Sequence, residues 1–222
     1  MRLLAFQLFF LLTIPGTIWF RLTNGLFANY LKRFWINTCL KILNYNIVLP
    51  PEGKFPKKCL IISNHRTMFE HCFFGLLFDS KKDVILADNS GWMSHKIIQY
   101  IYSTWGVLIS GDLKKENLSR FEKILIYPEG KRTRNGEINT FKKGYLYFAQ
   151  KYNLDIVLVK HSCNGQNFKG DLNPDLNLTL TFEVVDKLSI KEIDLDNSQE
   201  CNHINNKIMS HFINCNLTPS RI

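Results

Sequence analysis

His65 and Glu70 stand five residues apart in the run Asn64-His65-Arg66-Thr67-Met68-Phe69-Glu70, and Tyr127-Pro128-Glu129-Gly130-Lys131-Arg132 follows downstream. An imidazole held through Nδ1 by a carboxylate presents its other nitrogen as a general base. The pairing requires His65 in a loop leaving a strand and Glu70 in the first turns of the next helix, because within one continuous helix five positions turn two side chains about 140° apart. This is the base half of a triad without a serine, so the nucleophile is a hydroxyl brought by the substrate. Cys72, on an apolar helix face, reads as core. In the second run an apolar strand ends at Pro128, Gly130 permits a tight backbone approach, and Lys131 and Arg132 can converge on a phosphate. Glu129 is an odd neighbour for an anion; its expected work is to accept a hydrogen bond from a substrate hydroxyl or to orient Arg132. Each run alone has a plainer reading, His65 as a helix cap or a satisfied buried polar group, and Pro-Glu-Gly-Lys-Arg as a solvated turn. Both together, in this order, favour a base beside a phosphate site.

The elements that must position these groups are legible as alternating patterns. Cys59-Leu60-Ile61-Ile62 is a buried-strand run ending in Ser-Asn, and Thr67 to Phe78 carries apolar residues at three- and four-residue spacing, as an amphipathic helix does. Further strand runs stand at Val84 to Ala87, Val107 to Ile109, Ile124 to Tyr127, Ile156 to Val159 and Leu178 to Val185. Strands alternating with helical patterns predict an α/β layer architecture. Pro50-Pro51-Glu52-Gly53 marks the start of the catalytic domain. Three regions result: an N-terminal membrane-embedded or interfacial segment over 1–49, the catalytic domain over 50–190, and a polar helix and tail over 191–222.

Leu3 to Phe20 carries no charge between Arg2 and Arg21, and as a helix it is about 27 Å long, near the thickness of a bilayer core. Pro15-Gly16 interrupts it, so it kinks, re-enters or spans with tilt. A cleaved signal peptide is the rival, and no small-x-small site follows the run. Leu22 to Val48, broken by Lys32, Arg33 and Lys41, is expected to lie in the interface as an amphipathic helix, with Arg21, Lys32 and Arg33 toward anionic headgroups and the catalytic domain on the cytoplasmic face.

The 222 residues carry a net charge of +9, which favours an anionic partner. Nucleic acid is set aside because the Phe residues sit in apolar runs rather than alternating with cations as stacking platforms. Six cysteines show no metal-ligand spacing and read as thiols in a reducing compartment, and His203 and His211 read as surface residues. No pattern sets an oligomeric state.

Asn-His-x4-acid followed by Tyr-Pro-Glu-Gly-x-Arg resembles the glycerolipid acyltransferases, the 1-acylglycerol-3-phosphate acyltransferase family, with their H-x4-D and F-P-E-G-T-R boxes. The likeness runs from about Leu60 to Val185, and Ser63-Asn64-His65-Arg66-Thr67 is closest to the lysophosphatidate and lysocardiolipin branch. It implies a single acyltransferase domain with a mixed sheet flanked by helices, resting on the membrane by its N-terminal helices. It implies transfer from acyl-CoA, a co-substrate, to the free hydroxyl of a lysophospholipid, without metal or redox cofactor. By it His65 is the base, Glu70 its orienting partner, and Glu129, Gly130 and Arg132 the acceptor site, to which the reading of the turn itself adds Lys131. Three departures stand out. The family aspartate is Glu70, one methylene longer. The G-x-x-x-I-x-R segment has no arginine in Gly106 to Asp112, where Lys114 or Lys115 is the nearest substitute. Ile156-Val157-Leu158-Val159 lacks the family's proline. A transacylase, or a silent lipid-binding homologue, remains a competing reading.

Overall fold

A computed structural model describes residues 17–18, 28–66, 70, 74–79, 82–87, 94–104, 106–109, 117–132, 137–163 and 177–213. In chain order the elements are α1 (Ala28–Leu43), β1 (Tyr45–Val48), β2 (Cys59–Ser63), β3 (Asp83–Ala87), α2 (Lys96–Thr104), β4 (Val107–Ile109), β5 (Lys123–Ile126), α3 (Gly144–Tyr152), β6 (Asp155–Cys163), β7 (Leu178–Leu188) and α4 (Ser198–Ile213). The strands form one seven-stranded sheet in the order β1-β7-β6-β2-β5-β3-β4. From β6 to β4 the neighbours run parallel, whereas β7 is antiparallel to β6 and parallel to β1. The sheet is therefore mixed, as the family likeness implied.

Side-chain alternation along the strands divides the interior into two cores. Ile61, Ile85, Leu125, Val157 and Val159 face one side, where Ile36, Leu40 and Leu43 of α1 cover them with Phe74 and Phe182. Leu60, Ile62, Val84, Ile124, Ile156 and Leu158 face the other, beneath Tyr145, Leu146 and Ala149 of α3 and Cys201, Ile208 and Phe212 of α4. All five residues of β2 are buried, which is why this central strand reads as a continuous apolar run rather than an alternating one.

Two expectations for the N-terminal part are corrected. The run ending at Val48 is not one helix: α1 stops at Leu43, Asn44 takes φ 57°, and Tyr45–Val48 becomes an edge strand beside β7. Asparagine tolerates this left-handed conformation better than most residues, and it lets the chain turn into the sheet. The folded unit therefore takes in part of the segment assigned to the membrane. Nor does Lys32 face headgroups. It is 2% exposed, and its ammonium donates to the Phe78 carbonyl; burial lowers its pKa to about 8 against the opposing pull of Asp79 and Asp83. A single lysine thus pins α1 to the chain leading into β3.

Among the described residues no helix is long and apolar enough to cross a membrane. Leu3 to Phe20 lies outside the described residues except for Thr17 and Ile18, and Lys114, Lys115 and Cys72 lie outside them altogether. Of the Thr67 to Phe78 helix, Glu70 and Phe74 are described as helical.

Candidate active site

The carboxyl ends of β6, β2 and β5, adjacent in the sheet, deliver the functional groups, at the edge where open α/β sheets place their ligands. The register pairs Ser63 with Val159 and Ile62 with Ile126. His65, His161 and the Tyr127-Pro128-Glu129 turn therefore emerge side by side. Asn64 extends the pairing past the end of β2: its amide nitrogen donates to the His161 carbonyl at 2.9 Å and its amide oxygen accepts the His161 N–H at 2.7 Å. One side chain completes the ladder where the strand stops.

His65 Nδ1 lies 2.6 Å from Glu70 Oε2, with side-chain exposures of 17% and 0% respectively. The imidazole packs against the Tyr127 ring, with centroids 4.5 Å apart. Glu70 Oε1 accepts the Arg66 N–H at 2.5 Å and faces His161 Nδ1 at 2.8 Å. Glutamate in place of aspartate therefore comes with an additional partner. Burial pushes the Glu70 carboxyl up, but hydrogen bonding and charge from His161, then from His65, outweigh it and hold the pKa at about 2, below its ordinary 4.5. An ionised carboxylate only accepts, so each imidazole nitrogen facing it carries the proton. In the neutral ring of His65 that leaves the lone pair on Nε2, the nitrogen a base requires.

The depressed carboxyl links this site to stability. Since the folded pKa lies below the unfolded one, its contribution is complete above pH 4.5 and disappears as pH falls through 4.5 toward 2. Integrated over that window it is on the order of 3 kcal/mol. Denaturant unfolding at pH 6 and pH 3 should show the wild type losing more stability than Glu70→Gln, which has no carboxyl to protonate. Equal losses would show that Glu70 is not ionised in the fold.

Glu129 is 3% exposed. Its carboxylate accepts the His65 N–H at 2.7 Å through Oε1 and the Asn139 N–H at 3.0 Å through Oε2. The sequence offered a substrate hydroxyl or Arg132 as its partners; the structure also makes it the brace between the His65 loop and the segment after the turn. Arg66, 1% exposed, donates from its guanidinium to the Glu137 carbonyl on that same segment.

The turn closes with the Gly130 N–H donating to the Tyr127 carbonyl at 3.1 Å, and Gly130 adopts φ 68°. Glycine is required there by the backbone, and an added Cβ, 2.9 Å from Lys142 Nζ, would also make that flexible ammonium move aside. Lys131 is exposed and Arg132 half-buried. The structure thus brings His65, Glu70, Glu129 and Gly130 to one end of the sheet, with Lys131 and Arg132 next along the chain from Gly130.

His161 was not marked in the sequence, although the period-two pattern Val157, Val159 extends to it. It is 1% exposed and stacks on Phe182 with centroids 4.6 Å apart and planes 8° apart.

Residues 47–162 match the family model described as Acyltransferase. The chain is 26% identical over 158 residues to the human 1-acyl-sn-glycerol-3-phosphate acyltransferase beta, an alignment covering 66% of this chain and 56% of that protein. The chain thus spans little more than half the length of that relative. A crystal structure titled as the 1-acyl-sn-glycerophosphate (LPA) acyltransferase PlsC from Thermotoga maritima superposes with a TM-score of 0.60 at 16% identity, covering 94% of each chain. That likeness carries the fold. With just over half of its residues matched to the family model, and both of its boxes inside that match, the chain belongs to the acyltransferase family.

Proposed function

We propose that the protein moves a fatty acyl chain from acyl-CoA to the free glycerol hydroxyl of a lysophospholipid, most simply 1-acylglycerol-3-phosphate, giving phosphatidate. The observation that carries this reading is the Glu129 bridge, which holds the His65 backbone against the Gly130-Lys131-Arg132 turn. A base and a cationic turn fastened together suit an acceptor carrying both a hydroxyl and a phosphate. His65 Nε2 takes the hydroxyl proton as the oxygen attacks the thioester carbonyl. The tetrahedral adduct collapses, the C–S bond breaks, and the imidazolium returns its proton to the departing CoA thiolate. Glu70, ionised throughout, stabilises the imidazolium while it exists. Lys131 and Arg132 bind the phosphate, and Lys142, beside Gly130, adds positive charge to that end.

The proposal includes action at a membrane surface. On α1, Tyr30 and Phe34 are 73% and 52% exposed, and Arg33 beside them is also exposed. Aromatic rings next to a cation suit the headgroup boundary of an anionic bilayer.

Purified protein in detergent, given lysophosphatidate and labelled oleoyl-CoA, should form labelled phosphatidate. Transfer that proceeds only from a phospholipid donor would replace CoA-dependent synthesis with chain exchange, and label released only as free fatty acid would make the protein a thioesterase. Arg132→Ala should raise the KM for lysophosphatidate more than that for oleoyl-CoA; a rise confined to oleoyl-CoA would assign the turn to the donor.

A further inference from the structure

We infer that His161 is a positioning residue for the base, a buried imidazole that anchors one oxygen of Glu70 so that the other is kept for His65. The inference rests on the general-base reading of His65. It starts from the division of labour on the carboxylate: Oε1 is held by the Arg66 N–H at 2.5 Å and by His161 Nδ1 at 2.8 Å, whereas Oε2 faces His65 Nδ1 at 2.6 Å. A glutamate has one more rotatable bond than an aspartate, and left alone it would sample several rotamers. Two donors on Oε1 remove that freedom.

The two imidazoles on this carboxylate are chemically unequal. His161 has a fully buried side chain, and its Nε2 has no hydrogen-bond partner among the described residues. Its ring stacks on Phe182 and has no exposed edge for a substrate to reach. His65, with 17% of its side chain exposed, has room for solvent or a substrate hydroxyl at its outer edge. Of the two rings on the carboxylate, His65 is therefore the one a substrate hydroxyl can reach.

Among the described residues, the titratable and charged groups bonded at this centre include His65, Glu70, Glu129 and the Arg66 guanidinium, with Tyr127 stacked on His65. Of these, Glu70 alone is bonded to both imidazoles. Removing the His161 donor leaves a carboxylate with more negative charge for His65, so the remaining imidazolium is held more tightly. Turnover falls because a proton held too tightly is returned too slowly to the leaving group, and because Glu70 Oε1, held by the Arg66 N–H without His161, is less firmly placed.

His161→Phe keeps the ring and its stacking but removes the donor. His161→Asn restores an N–H near the Nδ1 position, and His161→Gln carries its amide farther out, toward the place of Nε2. In the oleoyl-CoA assay, His161→Phe should lower kcat on the order of 10- to 100-fold, the scale on which outer hydrogen-bond partners of a site act. The acidic limb of its kcat/KM profile should move to higher pH by about one unit. His161→Asn should recover most of both effects and His161→Gln little. A kcat within twofold of wild type with an unmoved acidic limb in His161→Phe, or equal recovery by Asn and Gln, would overturn the inference. A separate readout needs no turnover. In 15N-histidine-labelled protein, the His65 Nδ1 proton should shift downfield in His161→Phe and return in His161→Asn, and an unshifted resonance would likewise refute the anchoring. Wild type that transfers no acyl group while showing these shifts would defeat the acyltransferase reading and leave the anchoring intact.

Discussion

Replacing His65 by alanine is expected to cut acyl transfer on the order of a hundredfold or more, the usual scale for a general base, while the protein stays folded. Both halves of that result follow from where the ring sits. Its side chain is 17% exposed at the edge of the sheet, so truncation opens a solvent-reachable notch rather than a sealed cavity. Glu70 loses one donor but keeps the Arg66 N–H and His161. The lost stability should be small beside the lost rate. Initial rates with oleoyl-CoA and lysophosphatidate, set beside thermal unfolding followed by circular dichroism, measure the two together. A variant as active as wild type would end the general-base mechanism, whatever the fold resembles.

Glu129→Gln is expected to be damaging in a different way, lowering stability and turnover at once. The replacement is isosteric, yet the carboxylate accepts from two backbone donors, His65 N–H at 2.7 Å and Asn139 N–H at 3.0 Å. An amide accepts one of them and opposes the other with its own NH2. An unmet buried donor costs about 1–3 kcal/mol, which for a chain of this size is a fall in Tm of roughly 2–4 °C per kcal/mol. Because one of those donors belongs to His65, the base also shifts, and a misplacement of about 1 Å can reduce rate by about a hundredfold. Were Glu129 only a contact for substrate, the same change would leave Tm alone and raise the acceptor KM. The pair of measurements separates a brace from a binding group.

Much of the sheet was legible because its signals are local. Each strand from β2 to β7 overlaps an apolar run, and Cys59–Ser63 ends inside the Ser63-Asn64 pair that closes its run. β1 was missed because Tyr45-Asn46-Ile47-Val48 is short and continues an amphipathic helix without a break in hydropathy; only Asn44, with its left-handed backbone, marks the change. Lys32 misled for a related reason. A lysine on an apolar stripe usually carries its ammonium out to water, and nothing nearby in sequence announces the Phe78 carbonyl that receives it.

The site divides along the same line. His65 with Glu70, and Gly130 with Arg132, are short-range patterns. What Glu129 grips lies 64 residues back and 10 residues ahead, and His161 reaches Glu70 across 91 residues. No spacing rule encodes such partners. The available signal for His161 was its place in step with Val157 and Val159 on an inward face, where a histidine needs a companion.

The neighbouring order of β6, β2 and β5 has a consequence for how activity arises during folding. Segments distant along the chain must dock before the imidazole, its acid and the Gly130 turn share one edge, and such non-local pairings form slowly. Catalytic competence should therefore mature with the last central pairing of the sheet, as a property of the assembled tertiary structure that no isolated peptide carrying either box possesses.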